Sequence, residues 1–208
     1  METELNTDDG LMQAVAAGNR DCLEPLVRRY ASPLLTFLQR MLVNRDVAED
    51  MFQEVFVAVW QHRRTFRAAK KLEDRQNFRP WLFAIARNRC RTEFRKVQPV
   101  NVSIEDELIP DVRDISPLDD AIAAETSVLV EHALTQLTPK QRMVVVMRIW
   151  NGLSFAEIAE AVGCSESTAR PHMHHGLASL RRYLEPRMNR RTEHSMKPRE
   201  EDATDADS

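Results

Sequence analysis

Two stretches of this 208-residue chain carry side chains that could hold a polyanion. In FRPWLFAIARNRCRTEFRK (78–96), Arg87, Arg91 and Arg95 stand four residues apart, so a helix would align three permanent cations in one row. In SFAEIAEAVGCSESTARPHMHHGLASLRRYL (154–184), a short helical pattern leads into Gly163-Cys164-Ser165 and then a helix start rich in polar groups: Glu166, Ser167, Thr168 and Arg170. This is the spacing of a helix-turn-helix. Gly163 supplies the left-handed turn position, and small Ala159 lets the second helix cross closely. Such a helix fits the major groove, where base edges are distinguishable. Turn chemistry, small residues and polar helix start together favour DNA binding over an ordinary helical hairpin.

Other chemistries find less support. Cys164, His172, His174 and His175 are the residues that could ligate a metal. There is no H-E-x-x-H, no paired cysteine and no carboxylate close in sequence to these histidines, whereas a zinc site needs four groups, or three and a water. Neither a phosphate-binding glycine loop nor a nucleophile–base arrangement is present. The expectation is a protein with no catalytic site, no metal and no cofactor. Cys22, Cys90 and Cys164 are odd in number and widely spaced, and read as free thiols in a reducing cytoplasm.

The net charge of −3 conceals a block pattern. From His62 to Lys96 there are twelve basic residues against three acidic ones; from Ser103 to Glu131 there are nine acidic residues against Arg113 alone. Residues 132–192 turn basic again, and 200–208 are acidic. Two basic surfaces separated by an acidic connector are the footprint of a nucleic-acid binder.

The elements that must position these groups are helical. Gly is scarce (5), aromatics are 6% and charged residues 29%, a helix-forming composition. A short helix is expected over 7–17, opened by Asp8 and Asp9 and stopped by Gly18. Asn19 could cap a helix over about 20–42, bent at Pro33. Asp46 and Glu49 suggest a capping box for 47–62, whose Phe52, Val55, Phe56, Val59 and Trp60 form one apolar stripe. Residues 63–76 read as a basic loop, and Asn77 as the cap of a helix with Phe78, Trp81, Leu82 and Ile85 inward. Residues 99–116, acidic and punctuated by prolines, read as an extended flexible linker. Four helices follow: from Ser116-Pro117 to about Gln136, from Thr138-Pro139 to Gly152, from the Ser154/Glu157 capping box to Gly163, and from Ser165 to about Glu185. The fold class is therefore all-α: two small helical domains, 7–98 and 117–186, joined by the linker, the second a four-helix domain, with a disordered tail over 187–208. No apolar run spans a bilayer and the acidic start METELNTDDG is no secretory signal, so no membrane insertion and a cytoplasmic location are expected.

At this level of detail the chain resembles a bacterial RNA polymerase sigma factor of the extracytoplasmic-function (ECF) subfamily of the sigma-70 family. The resemblance rests on AEDMFQEVFVAVW (48–60), FRPWLFAIARNRCRTEFRK (78–96) and LTPKQRMVVVMRIWNGLSFAEIAEAVGCSEST (137–168), and covers roughly 10–98 and 117–185. It implies a protein that binds core RNA polymerase and directs it to promoters. The acidic face of the 47–62 helix, with Asp50, Gln53 and Glu54, would dock on the clamp helices of the largest subunit. The 78–96 block would recognise and open the minus-ten element: Arg79, Arg87, Arg91, Arg95 and Lys96 attracting phosphates, Asn88 bonding a base edge and Trp81 stacking on a base unless it is simply core. Asn88 and the 64–76 loop would lie near a flipped base. Ser167, Thr168, Arg170, Pro171, His174 and His175 would read the duplex minus-thirty-five element. Promoter DNA, double- and single-stranded, and core polymerase are the implied partners; many members are held inactive by an anti-sigma factor, which is a candidate third. The chain departs from the family where Pro171 replaces a polar residue and His175 a basic one. Pro171 should kink or restart the helix, and the histidines replace permanent cations with groups whose charge changes near neutrality. An unusual promoter sequence is the expected consequence. A DNA-binding regulator that never touches polymerase is the rival reading; it leaves the 48–60 and 78–96 blocks without a use.

Overall fold

The computed structural model describes residues 7–42, 44–66, 77–97 and 121–195, and among these the regular structure is helical throughout. In order come α1 (Asp8–Ala16), α2 (Leu23–Leu42), α3 (Arg45–His62), a 3₁₀ turn (Arg63–Thr65), α4 (Phe78–Val97), α5 (Ala121–Thr135), α6 (Pro139–Ile149), α7 (Phe155–Val162) and α8 (Glu166–Ser195). The all-α class and the four helices of the second half agree with the sequence reading. The linker 99–116, loop residues 67–76 and the start of the helix expected at Ser116-Pro117 lie outside the described residues.

Local chemistry sets the helix ends, in places differently from the sequence reading. Thr7 caps α1, its hydroxyl accepting from Gly10 N at 3.1 Å. Asn19 does not open α2 directly: its Oδ1 accepts from Asp21 N at 3.1 Å in a tight turn, and the helix starts at Leu23. The residue capping α3 is Asn44, whose Oδ1 accepts from Val47 N at 3.1 Å, so the helix begins before Asp46 and the expected box gives way to a one-sided cap. At α4 the carboxylate of Asp9, from α1, accepts from Asn77 N and Phe78 N at 2.9 Å each. A buried acid from a distant helix thus stands at the amide end of α4, where negative charge is favoured. Its neighbour Asp8 accepts from Tyr30 Oη at 2.5 Å and from Arg29.

In the second half, α6 and α7 each start with a reciprocal capping box. Thr138 and Gln141 form the first, and Ser154 and Glu157 the second, with Glu157 Oε2 accepting from Ser154 N at 2.7 Å. Gly163 ends α7 at φ +73°, the left-handed conformation expected of it.

The two prolines of α8 neither restart nor end it. The helix is continuous through Pro171 and through Pro186 to Ser195, so the tail expected to be disordered from 187 starts as helix. Pro171 sits in the second turn, and the carbonyl it frees, that of Ser167, belongs to an exposed residue that water can serve. Around Pro186, Arg181 pairs with Glu185 at 2.5 Å, and Arg187 donates to Tyr183 O at 2.8 Å with its guanidinium 3.6 Å from the Tyr183 ring centroid. These i,i+4 contacts support the helix on either side of Pro186.

The first half packs α2, α3 and α4 around Leu34, Phe37, Leu38, Val55, Val59, Leu82 and Phe83, with Phe37 and Phe83 edge to face at 5.3 Å. The second half packs α6 against α7 and α8 around Leu137, Val144, Val145, Met147, Ile158 and Leu180. The buried cluster is continuous from one half to the other, and α4 lies against α7. The α6–α8 crossing depends on Gly176: a Cβ there would stand 2.7 Å from Val145 Cγ2. Gly176→Ala is expected to lower stability by about 1–3 kcal/mol through overpacking, read by thermal melting, and adding Val145→Ala should recover part of the loss.

Candidate nucleic-acid interface

The helix-turn-helix presents its polar start to solvent. Ser165 caps α8, its hydroxyl accepting from Thr168 N at 3.2 Å and lying 2.7 Å from Ser167 Oγ and 2.8 Å from Thr168 Oγ1. Ser167, Thr168, Arg170, Pro171, His174 and His175 are all exposed, while Ala169 between them and Gly176 just after them are buried. All six residues expected to read a duplex therefore share the free surface of one helix. Arg170 pairs with Glu166 at 3.5 Å and lies 4.5 Å from the Phe155 ring centroid; the imidazoles of His174 and His175 are 5.6 Å apart. Among the described residues no group of three His, Cys, Asp or Glu side chains is arranged to hold a metal ion.

The basic row of α4 is divided. Asn88, Arg91, Arg95 and Lys96 are exposed, Lys96 pairing with Glu93 at 2.8 Å. Trp81 is half-buried, edge-on to Phe66 at 5.3 Å, and so belongs to the rim of the core. Arg79 and Arg87 instead face the second half of the chain. Arg79 donates from Nη2 to Asn151 O, and its Nη1 stands 3.6 Å from Glu157 Oε1. The same Glu157 closes the α7 capping box, so the cation is tied into the start of the helix-turn-helix. Arg87 packs against the turn: a Cβ on Gly163 would meet its Nη1 at 3.1 Å. Burial first, and then the charge of Arg91, push the Arg87 guanidinium below the usual arginine value; Arg87 also donates to Asn88 Oδ1 at 2.9 Å.

Two further contacts and one buried side chain complete this seam. Asn151 Nδ2 donates to Pro33 O at 2.7 Å, and the Arg40 guanidinium lies 4.1 Å from the Trp150 ring centroid. Arg142 is 1% exposed, with Nε and Nη1 unpaired. Burial lowers its pKa to about 10, partly offset by Cys90 and Glu131, while burial pushes the Cys90 thiol up to about 12. All three cysteines are free thiols.

The third surface lies on α3. Asp50, Gln53 and Glu54 are exposed on the face opposite Met51, Val55 and Val59, and Glu54 stands 3.6 Å from Arg89 of α4. Sequence reading missed Asn151 and Glu157 as partners of α4 and Phe155 as the neighbour of Arg170. The capping box gave Glu157 a local use, and nothing in residue spacing signals a contact made 72 positions away.

Comparison with known proteins accords with this geometry. Residues 26–99 match the family described as Sigma-70 region 2, and residues 127–180 match Sigma-70, region 4. The chain is 35% identical over 161 residues to the ECF RNA polymerase sigma factor SigX of Bacillus subtilis, covering 75% of this chain and 80% of that one. It is 34% identical over 175 residues to the RNA polymerase sigma factor CarQ of Myxococcus xanthus, covering 83% and 95%. In fold it is similar to CnrH, solved in complex with the cytosolic domain of CnrY, with a TM-score of 0.66 at 24% identity over 86% of this chain and 97% of that one. With both regions matched in order and relatives of this identity over most of their length, the chain belongs to the sigma-70 family of RNA polymerase sigma factors, in its ECF group.

Proposed function

We propose a division of labour among three faces of this sigma factor, a transcription initiation factor that binds core RNA polymerase and directs promoter-specific initiation. Residues 7–98 form the module for polymerase and the minus-ten element, and 117–186 the module for the minus-thirty-five element. Asp50, Gln53 and Glu54 dock on the clamp helices of the largest subunit. Asn88, Arg91, Arg95 and Lys96 hold the opened minus-ten strand, with Trp81 at the core rim beside them. Ser167, Thr168, Arg170, Pro171, His174 and His175 read the duplex. The observation that carries this reading is the exposure of those six side chains on one face of α8, behind a capped helix-turn-helix. Arg79 and Arg87 join the strand-holding set only once the seam opens, because Asn151, Glu157 and the Gly163 turn occupy them in the folded chain. Among the described residues no helix is long and apolar enough to cross a membrane; the factor works where polymerase and chromosome are, in the cytoplasm. An anti-sigma factor completes the set of partners, the class of protein with which the similarly folded RpoE of Bartonella quintana was solved.

Run-off transcription with core polymerase tests the division. Asp50→Ala/Gln53→Ala should weaken association with core by roughly a hundredfold, if each truncation costs 1–2 kcal/mol, and abolish promoter-specific RNA. Asn88→Ala/Arg91→Ala should leave that association intact and lose transcription on duplex promoter, with recovery on a template already unpaired at the minus-ten element. Equal effects of the two pairs on core binding would overturn the assignment.

A further inference from the structure

Phe155, the first residue of α7, lies under two guanidinium groups. Arg170 Cζ stands 4.5 Å from the ring centroid and Arg148 Cζ 5.1 Å. Arg148 is anchored from below, donating from Nη1 to Leu153 O at 2.8 Å. Arg170 reaches the ring from the second turn of α8, on the face exposed beside Ser167 and Pro171, and its side chain keeps 61% of its surface open. Glu166, one turn earlier, stands 3.5 Å from its Nη2. A long cationic side chain at the polar start of a recognition helix is thus held from two sides while remaining accessible.

The two supports differ in what they leave free. A ring face attracts the cation through its quadrupole but offers no lone pair, so it uses none of the N–H donors. A free arginine samples many rotamers and loses that freedom when it binds; one already resting on a ring loses less. In the major groove, guanine presents two adjacent acceptors, O6 and N7, which fit the guanidinium fork, and no other base offers that pair. A fork held in place therefore gains most on a G·C pair.

We propose that Phe155 is a positioning residue for promoter specificity: it holds Arg170 for bidentate contact with a guanine of the duplex element read by α8. The inference rests on the reading of α8 as the duplex-reading helix and adds to it which side chain sets one base preference and what orients it. Phe155 itself touches no base.

The test uses holoenzyme, the full chain with core polymerase, transcribing a promoter library randomised through the minus-thirty-five element. Arg170→Ala should abolish a guanine preference at one position, a loss of about tenfold or more in the ratio of transcripts. Phe155→Leu, which keeps apolar bulk without a ring face, should reduce the preference at that same position roughly three- to tenfold while preferences elsewhere and total transcription hold. Phe155→Tyr, which restores the ring, should bring the preference back. A Phe155→Leu protein that keeps the full guanine preference, or that loses transcription equally from all library members, overturns the positioning role. If neither Arg170→Ala nor Ser167→Ala/His174→Ala alters any preference, the reading of α8 fails and takes this inference with it.

Discussion

A chain carrying Asn151→Ala and Glu157→Gln should hold its fold and lose its closed arrangement. Asn151→Ala removes the donor that reaches Pro33 O across the seam, and Glu157→Gln removes the charge that holds Arg79. Glutamine can still close the α7 capping box, as Gln141 does at α6, so helix formation is spared. Losing one part-buried bond and one part-buried ion pair should shift the closed/open ratio by roughly 2–3 kcal/mol, on the order of a hundredfold. Small-angle scattering should report a larger radius of gyration, and limited proteolysis faster cutting between the halves, with an unchanged helical signal. Because Arg79 and Arg87 are then free, binding of the isolated chain to single-stranded DNA should strengthen and its salt dependence steepen by about one to two counterions. An unchanged radius and salt slope would show that these contacts do not hold the halves together.

The second large effect has the opposite sign. Arg142 is buried between the halves with its Nε and Nη1 nitrogens unpaired, a costly way to fill space. Its pKa falls from the ordinary arginine value to about 10, chiefly through burial. A base whose pKa is lowered by folding binds fewer protons folded than unfolded in the window between the two values. The penalty is therefore fully present below pH 10, and stability contributed by this site rises as pH climbs from about 10 towards the ordinary arginine value. Arg142→Met, similar in reach and uncharged, should remove a penalty of about 2–4 kcal/mol at neutral pH. That corresponds to a melting temperature higher by roughly 5–15 °C for a chain of this size. The advantage over the parent should shrink above pH 10. A variant that melts lower at pH 7 would mean that the guanidinium has a partner worth more than its burial costs.

Legibility followed the range of the interactions. The Ser154/Glu157 box, the Gly163 stop and the α3 stripe could be read because each lies within a few residues of its partners. Asn44 displaced the Asp46/Glu49 box for a local reason too: two cap candidates stood two residues apart, and the better-placed amide acceptor prevailed. Pro186 misled because its cost was visible and its compensation, Arg187 against Tyr183, was not. The residues exposed on α8 were named beforehand by its polar helix start and by the family resemblance, which supplied Pro171, His174 and His175. The divided fate of the α4 row was not. Arg79, Arg87 and Arg91 are identical as letters, and only the packing of α7 decides which of them meets solvent.

The carboxylate that Asp9 lends to α4 has a consequence for biosynthesis. Its two amide partners lie 68 and 69 residues further along the chain. At roughly 5–20 residues per second, a ribosome takes about 3–14 s to supply them after Asp9 is made. Throughout that interval the Asp9 carboxylate waits for the two amides it will serve at the start of α4. The first module therefore matures by a late, non-local closure rather than helix by helix, and a translational pause before codon 77 would lengthen the wait without changing the folded product.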